Sequence, residues 1–412
     1  MKALVLAGGL PQIDLLKKLK ARGIQTILAD YYEHPVAIDY ADVFYRISTL
    51  DVDAIRKLAV DEKVDFVITV CTDQALLTMA KVSEDLHLPC YLDYETARNV
   101  TSKAYMKKIF AENKIPSARY TIVARIEEEE FSAWRYPLIV KPVDCNSSKG
   151  VRKVDNNDEL RIALEDAIRM SRTNTAIVEE FIVGKELSVD VYVDDGKAML
   201  LDITTSEKLK VKDRFIIFRT WHPANISEKI QEKVSAVAQQ IADSFNIKNS
   251  PMLIQMLTDG NEAYVIEFSA RTGGGVKHFS IERRSGVDVV SAVIDLTLGK
   301  KPKIEIRKPV TKYMVDEYIY CHSGIYDHIE GFEELKEKGV ITDYYVFRWK
   351  GSSFDGIENS GDRIGGYTIQ GDTMEELREK HEIVNKNVKV MSNDGVDIMR
   401  HDLLADFNDQ EA

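Results

Sequence analysis

The chain has 412 residues, of which 44% are hydrophobic and 30% are charged, a composition typical of globular proteins. This length predicts two to four modules, and the sequence lacks an apolar run long enough to cross a bilayer. The formal net charge of -12 disfavours nucleic acids and anionic membranes as partners, so an anionic ligand would need a local basic pocket.

The cysteines and the N-terminus indicate a cytoplasmic protein. Cys71, Cys90, Cys145 and Cys321 are widely spaced and form no C-x-x-C pair, which argues against a disulfide framework and a cysteine zinc site. The short apolar stretch at the N-terminus ends in glycines, and it predicts a buried strand and not a secretory signal. A reducing compartment fits both features.

The N-terminal part of the chain alternates between apolar runs and an amphipathic segment. Residues 2–7 and 64–70 predict buried strands, and residues 23–30 predict a further strand that ends at Asp30. Between them, Leu10 to Arg22 predicts an amphipathic helix. This order favours a parallel, doubly wound sheet.

The turn after the first predicted strand contains two glycines, Gly8 and Gly9, but not the third glycine of a dinucleotide-binding motif. Asp30 lies where such a motif would place its ribose-binding acid, although an acid at a strand end is common. A nicotinamide-dependent oxidoreductase is therefore a weak alternative.

The composition changes near residues 93–103, where a helix through Phe110 is predicted with Thr101 or Ser102 as its N-cap. We expect three units, and a lid is predicted within the second unit. The predicted bounds are 1–98 for the first unit, 99–305 for the second, about 117–183 for the lid, and 306–412 for an α+β tail. The tail is expected to include a strand, a turn and a capped helix in "GGYTIQGDTMEELREKHEIVNKNVKV".

The stretch "YPLIVKPVDCNSSKGV", residues 136–151, joins an apolar strand to a loop of small residues. Lys141 leaves the strand near its end, and a lysine in that position favours an anionic partner. Ser147, Ser148 and Gly150 would let backbone N–H groups approach phosphate oxygens. The stretch is not a Walker loop, and a solvated lysine beside a plain hairpin is the alternative.

The stretch "AIVEEFIVGKELSVDVY", residues 176–192, predicts two strands around a short turn. Backbone groups near Glu179 could meet an adenine edge, and Glu186 could accept hydrogen bonds from ribose hydroxyls. Two surface glutamates beside a glycine turn are the alternative.

The stretch "PMLIQMLTDGNEAYVIEFSARTGGG" predicts a hairpin around "DGNE". Because side chains alternate along a strand, Glu267, Ser269 and Arg271 would share one face. Gln255 joins that face when the loop has an odd number of residues, for instance 260–262, because a one-residue slip turns it away. Oxygen ligands from Gln255, Glu267 and Ser269 suit Mg²⁺. A hairpin with ordinary polar residues is the alternative.

Taken in chain order, these motifs resemble those of the ATP-grasp superfamily across about residues 100 to 300. The final motif is most similar to the synthetase domains of carbamoyl phosphate synthase large subunits. The tail resembles the closing domains of biotin carboxylase and glycinamide ribonucleotide synthetase. The resemblance implies an ATP-grasp fold, preceded by a Rossmann-like parallel α/β domain and followed by a C-terminal α+β domain.

The resemblance also implies a nucleotide site. Lys103 and Lys141 would contact the ATP phosphates, together with the loop that carries Ser147, Ser148 and Gly150. The implied base and ribose contacts come from one stretch of the chain, namely Glu179, Glu180, Ile182 and Glu186.

For the metal, the resemblance implies Mg²⁺, with Mn²⁺ as a substitute, held by Gln255, Glu267 and Ser269. Ser269 departs from the more usual asparagine, so it is the least secure ligand of the three. Arg271 would steady the reacting acyl phosphate, and Lys141 is counted with it as catalytic.

The resemblance implies a ligase that activates a carboxylate as an acyl phosphate for attack by an amine, with release of ADP. The expected partners are a small-molecule carboxylate and amine, an amino acid among them, and a second copy of the chain in a homodimer. A complete carbamoyl phosphate synthase is disfavoured because it needs two synthetase units. The alternatives are a bicarbonate-activating, carboxylase-like enzyme and a non-catalytic ATP-sensing protein.

Overall fold

The computed structural model describes residues 1–125, 131–145, 150–209, 216–404 and 407. Its strands are β1 (Lys2–Leu6), β2 (Gln25–Asp30), β3 (Val43–Arg46), β4 (Phe66–Ile68), β5 (Tyr120–Val123), β6 (Leu138–Pro142), β7 (Arg152–Val154), β8 (Ala176–Glu180), β9 (Lys185–Asp194), β10 (Lys197–Lys208), β11 (Ile217–His222), β12 (Ser250–Thr258), β13 (Ala263–Ser269), β14 (Tyr313–Ile319), β15 (Gly324–Glu330), β16 (Asp343–Val346), β17 (Ser353–Phe354), β18 (Gly365–Gly371) and β19 (Lys389–Ser392).

The helices are α1 (Leu10–Ala21), α2 (Val52–Asp61), α3 (Asp73–Asp85), α4 (Tyr94–Thr101), α5 (Lys103–Glu112), α6 (Asn157–Met170), α7 (Glu228–Ser244), α8 (Lys277–Ser285), α9 (Val289–Thr297), α10 (Phe332–Glu337), α11 (Met374–Asn387) and α12 (His401–Leu404). Within the described ranges, no helix has the length and apolar character that a bilayer crossing requires.

The N-terminal unit is built on a parallel sheet in the order β3-β2-β1-β4. Both faces of β1 and β2 are buried, which explains why these strands are nearly continuous apolar runs. The predicted parallel sheet is confirmed, and the predicted helix from Leu10 ends one residue early, at Ala21. The carboxyl ends of β1 and β4 lead into Gly8 and Asp73, on the side that faces the central part of the chain.

The predicted lid contains a small antiparallel sheet in the order β5-β8-β6-β7. The amphipathic helix α6, capped by Asn156, packs its apolar face against this sheet. Their shared core fixes the direction of β6 and β8, the two strands that carry Lys141 and Glu179.

A second, larger sheet runs through the middle of the molecule in the order β13-β12-β9-β10-β11-β14-β18-β16. The pairs within it are antiparallel. Strands β14, β16 and β18 come from the tail, so the sheet continues across the predicted boundary at residue 305. The tail is therefore joined to the centre by backbone hydrogen bonds.

An aromatic cluster ties helix α5 to the edge hairpin of this sheet. Phe110 lies on α5, Phe245 follows α7, and Phe268 lies on β13. The rings of Phe245 and Phe268 are 4.5 Å apart in an edge-on contact, and each lies 6.1 Å from the ring of Phe110. Such contacts contribute beyond the area they bury. The cluster therefore sets where the lysines of α5 stand relative to β13.

The hairpin β12–β13 has the predicted position but not the predicted loop. Its loop, residues 259–262, has four residues, an even number, because Thr258 pairs with Ala263. An irregularity after Gln255 then leaves Ile266 unpaired, so Gln255 still lies opposite Glu267. The expectation of an odd loop was wrong, because a β-bulge supplies the extra residue within the strand.

In the tail, the predicted strand, turn and capped helix are β18 and α11. Thr373 is the N-cap, and its hydroxyl accepts a hydrogen bond from the backbone N–H of Glu376. The sheet β17-β15-β19 and helix α11 enclose a separate apolar core.

The pairing between β14 and β18 can be tested at Gly366. A Cβ atom at Gly366 would lie 2.5 Å from the carbonyl oxygen of Glu317, whereas one at Gly274 would lie 3.5 Å from that of Cys71. We expect Gly366→Ala to lower the free energy of unfolding by about 1 to 3 kcal/mol because backbone has to shift. Gly274→Ala is the control and should stay within about 0.5 kcal/mol. Chemical denaturation measures both, and equal stabilities would contradict the close packing of these strands.

Candidate active site

A cavity of about 540 Å³ lies between the lid sheet and the hairpin β12–β13. Its wall combines charged and apolar side chains. One charged and polar group consists of Lys103, Lys107, Lys141, Glu179, Gln255 and Glu267. The apolar part of the wall includes Ile139, Phe181, Ile182, Leu257 and Tyr264, and the further charged residues Glu180, Lys185, Glu186 and Lys208 also line the cavity. A wall with both kinds of side chain suits a ligand with a flat apolar part and an anionic part.

Two lysines share one carboxylate in the wall of the cavity. The Lys107 ammonium lies 2.6 Å from Glu179 Oε1, and the Lys141 ammonium lies 2.5 Å from Glu179 Oε2. Burial by itself would raise the pKa of Glu179, but the two ammonium groups outweigh it and lower the pKa to about 2. Glu179 is therefore ionised at neutral pH.

Lys103 spans the cavity from the start of α5. The Ser102 hydroxyl caps this helix by accepting a hydrogen bond from the backbone N–H of Tyr105, so Ser102 is the N-cap. The Lys103 ammonium lies 3.2 Å from Glu267 Oε2 and donates a hydrogen bond of 2.9 Å to the carbonyl oxygen of Cys145. It therefore contacts both the hairpin and the lid segment that follows β6.

Gln255 and Glu267 bring an amide oxygen and a carboxylate to the cavity from the hairpin. They are opposite each other in the ladder between β12 and β13, and both line the cavity. The Glu267 side chain keeps 35% of its exposure, so its carboxylate is accessible from the cavity. In the described part of the chain, no group of three or more His, Cys, Asp and Glu side chains is arranged for a metal. A cation held here would need ligand atoms from a bound molecule or water, which is how Mg²⁺ is commonly held.

The predicted base and ribose contacts lie along the lid strands and β9. Glu180 and Ile182 line the apolar part of the cavity, and the backbone N–H of Glu180 donates to the carbonyl oxygen of Arg119. The carboxylate of Glu186 pairs with Lys208. These residues and the lysines therefore line the same cavity.

Ser269 and Arg271 differ from the other predicted residues, because neither lines this cavity. The hydroxyl of Ser269 donates a hydrogen bond of 2.7 Å to Asp73, the first residue of α3. The guanidinium of Arg271 pairs with both carboxylate oxygens of Asp73, with 2.7 Å from Nε to Oδ1, and its Nη1 donates to the carbonyl oxygen of Thr272. Both residues thus connect the end of β13 to the N-terminal unit.

This arrangement changes the pKa of the Asp73 carboxyl group. Burial raises its pKa, but Arg271 and the Ser269 hydroxyl outweigh burial and hold the pKa below its ordinary value. In the same way, Asp73 outweighs burial at Arg271 and raises the pKa of the guanidinium.

The small-residue loop is only partly described. Ser147 and Ser148 lie outside the described residues. Gly150 has φ of +73°, and a Cβ atom there would come within 2.8 Å of Pro142 Cγ. The end of the loop thus needs a glycine for both its dihedral angle and its contact with β6.

Gly8 and Asp30 have a local structural role. The Asp30 carboxylate accepts hydrogen bonds of 2.6 Å from the Gly8 N–H and 2.8 Å from the Tyr32 N–H. Asp30 therefore joins the ends of β1 and β2 in the described structure.

Sequence reasoning missed Lys107 and Asp73. Lys107 follows Lys103 by four residues, and both lie with Met106 and Phe110 on the buried face of α5. A lysine within an apolar helical stripe was therefore a detectable signal. Asp73 gave no such signal, because 198 residues separate it from Arg271.

Residues 134–279 match the family model of the ATP-grasp domain. Over this range, the chain is similar to the ATP-grasp domain. The matched range of the ATP-grasp domain includes Lys141, Glu179, Gln255 and Glu267, whereas Lys103 lies before it. The predicted resemblance is confirmed.

Curated proteins are similar to longer parts of the chain. Formate-dependent phosphoribosylglycinamide formyltransferase from Sulfurisphaera tokodaii is 27% identical over 284 residues, which are 66% of this chain and 70% of that protein. The carbamoyl phosphate synthase large chain of Clostridium acetobutylicum is 23% identical over 358 residues, which are 82% of this chain but 33% of that protein.

The fold of the chain is shared with solved structures. The crystal structure of L-amino acid ligase from Bacillus licheniformis has a TM-score of 0.80 at 20% identity, and the match covers 95% of this chain and 98% of that one. At this identity the likeness concerns the fold alone. It confirms the predicted ATP-grasp fold with its mixed parallel and antiparallel sheets.

The lowered pKa of Glu179 gives a pH prediction. A carboxyl group with a folded pKa of about 2 and an unfolded pKa of about 4.3 stabilises the fold above the unfolded value, and the contribution is lost as the pH falls toward the folded value. We therefore expect the stability advantage of the wild-type chain over Glu179→Gln to shrink between about pH 5 and pH 2. Denaturation at several pH values measures it. A matched Glu334→Gln variant alters a solvent-exposed pair with Lys338 and should show a small difference throughout. A pH-independent advantage for Glu179 would contradict the ion-pair geometry.

The Asp73 contact gives a stability prediction. Asp73→Ala leaves the buried guanidinium of Arg271 without its carboxylate, and we expect a loss of about 3 kcal/mol in the free energy of unfolding. The estimate takes the lower end of the range for buried pairs because the Asp73 side chain keeps 25% of its exposure. Asp53→Ala removes a far more exposed partner of Arg56 and should change stability little. Equal losses for the two variants in chemical denaturation would show that Arg271 does not depend on Asp73.

Proposed function

We propose that this protein is an ATP-dependent ligase that activates a carboxylate as an acyl phosphate for attack by an amine. The observation that carries the proposal is the arrangement around one cavity. Lys103 and Lys141 approach it from α5 and the lid, while Gln255 and Glu267 approach it from the hairpin. Cations opposite an acid and an amide are what a metal-bound triphosphate requires.

In this proposal the adenine lies in the apolar part of the cavity. Ile182 and the backbone around Glu180 line that part, and Glu186 with Lys208 marks the ribose position. The triphosphate then points toward the lysines. Both ammonium groups are already held in ion pairs with carboxylates. The phosphates would therefore meet cations whose positions are fixed before binding.

The hairpin pair fits Mg²⁺ by its chemistry. A carboxylate and an amide oxygen, opposite each other and open to the cavity, are hard ligands of the kind this ion prefers. Mg²⁺ when bound would neutralise charge on the β- and γ-phosphates. Ser269, the third predicted ligand, already donates its proton to Asp73, so Gln255 and Glu267 are the stronger part of the proposal.

The first chemical step transfers the γ-phosphoryl group. An oxygen of the substrate carboxylate attacks the γ-phosphorus, the bond to the β,γ-bridging oxygen breaks, and ADP leaves. Charge then builds on the transferred group, and Lys103 and Lys141 are placed to stabilise it. Their fixed positions mean that little reorganisation is needed during the reaction.

In the second step the amine attacks the acyl carbon, phosphate leaves, and the nitrogen loses a proton. Acyl phosphates hydrolyse in water, so the cavity has to exclude it. The contact between Lys103 and the carbonyl oxygen of Cys145 joins α5 to the lid. Arg271, the predicted stabiliser of the acyl phosphate, pairs with Asp73 where the end of β13 meets the N-terminal unit and does not line the cavity.

A second candidate function is ATP sensing without turnover, and the contact between Ser269 and Asp73 favours it, because it engages a predicted metal ligand. The activated acid could also be bicarbonate, as in a carboxylase-like enzyme. A screen of purified protein with ATP, Mg²⁺ and pairs of carboxylates and amines separates these cases. Carboxylate-stimulated release of ADP supports a ligase, bicarbonate dependence supports the carboxylase-like reaction, and tight binding without turnover supports a sensor.

The remaining parts of the proposal concern the setting of the enzyme. We also propose that the enzyme is cytoplasmic and forms a homodimer, as the sequence analysis expects, and that its cofactors are ATP and Mg²⁺. Gel filtration with light scattering tests the dimer.

Glu267→Ala tests the proposed metal site. Loss of the Glu267 carboxylate should lower the kcat of substrate-dependent ATP turnover by about 100-fold or more, because Mg²⁺ would lose one of its two proposed ligands on the hairpin and the developing charge would be less well stabilised. Glu262→Ala is the matched control, because Glu262 lies on the same hairpin but pairs with Lys233 at the exposed tip. Phosphate release measures both variants. An active Glu267→Ala enzyme would refute the proposed site.

A further inference from the structure

Lys107 is a buried cation in the cavity that the proposed reaction does not use. It lies one helical turn after Lys103 on α5, and its side chain keeps 2% of its exposure. Lysines are almost never buried to this extent unless they are paired. Its burial therefore calls for a specific electrostatic role.

The partner of Lys107 is also the partner of Lys141. The two ammonium groups contact different oxygens of the Glu179 carboxylate, at 2.6 Å and 2.5 Å. Burial lowers the pKa of Lys107 and so does Lys141, while Glu179 opposes them. The Lys107 ammonium also lies 6.0 Å from the centre of the Phe110 ring, in a wall that holds it beside Glu179.

The charges of this cluster do not cancel. Glu179 has a formal charge of -1 and each lysine has a formal charge of +1, so the formal charge of the cluster is +1. Lys107 is the more deeply buried of the pair, with 2% exposure against 8% for Lys141. Both lysines line the cavity, and Lys141 is the more accessible of the two to a ligand bound there.

We propose that Lys107 is a positioning residue. Its positive charge offsets the negative charge of the Glu179 carboxylate, so that the positive charge of Lys141 remains available to the triphosphate. This inference rests on the proposed function, because it assumes that ATP binds in this cavity. Without Lys107, Glu179 and Lys141 would form a neutral pair, and the phosphates would meet a weaker field. The apolar part of the cavity would be unchanged, so the loss would fall on the phosphates and not on the base.

The experiment compares ATP and adenosine binding to the wild-type chain and to variants of the cluster by calorimetry with Mg²⁺ present. Lys107→Met removes the charge but keeps the length of the side chain. We expect it to weaken ATP binding by about tenfold or more, and adenosine binding by less than about twofold. In turnover assays the KM for ATP should rise more than kcat falls. Lys107→Arg keeps the charge and should restore ATP binding.

A second pair of variants tests whether Lys107 acts through Glu179. In the Glu179→Gln background there is no carboxylate to neutralise, so adding Lys107→Met should change ATP affinity by less than about threefold. This comparison decides the question even if Lys107→Met alone does not fold. A loss of about tenfold in that background would overturn the inference, because Lys107 would then act independently of Glu179.

The failures of the inference and of the proposed function are distinguishable. If the wild-type chain does not bind ATP, the proposed function fails and the inference fails with it. If the wild-type chain binds ATP and Lys107→Met binds it equally well, the inference alone fails. Equal losses of ATP and adenosine binding would mean that Lys107 supports the shape of the cavity, which also overturns it.

Discussion

Burying charge is costly unless each charge has a partner, and this constraint governs the centre of the molecule. Lys107 and Lys141 leave water only because Glu179 lies between them, and Lys103 is similarly placed beside Glu267. Each of these pairs joins different elements, since α5, β6, β8 and β13 all contribute. The ion pairs therefore form only when these four elements are packed together.

A second constraint is that the site is assembled from units far apart in the sequence. The aromatic contacts of Phe110, Phe245 and Phe268 hold α5 against β13, while Asp73 holds the end of β13 against the N-terminal unit. The tail joins through β14 and β18 within the large sheet. The cavity lies between two of these units, because the predicted lid has its own small sheet and core.

The predictions that held were those with a local physical cause. Hydrophobic periodicity and capping predicted three features: the start of α5 after Ser102, the end of β2 at Asp30 and the helix α11. The pairing of Gln255 with Glu267 was anticipated, but its mechanism was not. The bulge at Ile266 replaces the odd loop, and a bulge leaves no reliable mark in the alternation of side chains.

The sequence by itself determined the type of chemistry, because a lysine at a strand end and an acid and an amide in one hairpin are local patterns with few uses. Only the tertiary structure decided which of these groups share a space. It showed that Glu179 serves two lysines, and that Ser269 and Arg271 contact Asp73 and do not line the cavity. The physical reason is that electrostatic partners are chosen by distance through space, and spacing along the chain does not encode that distance between separate units.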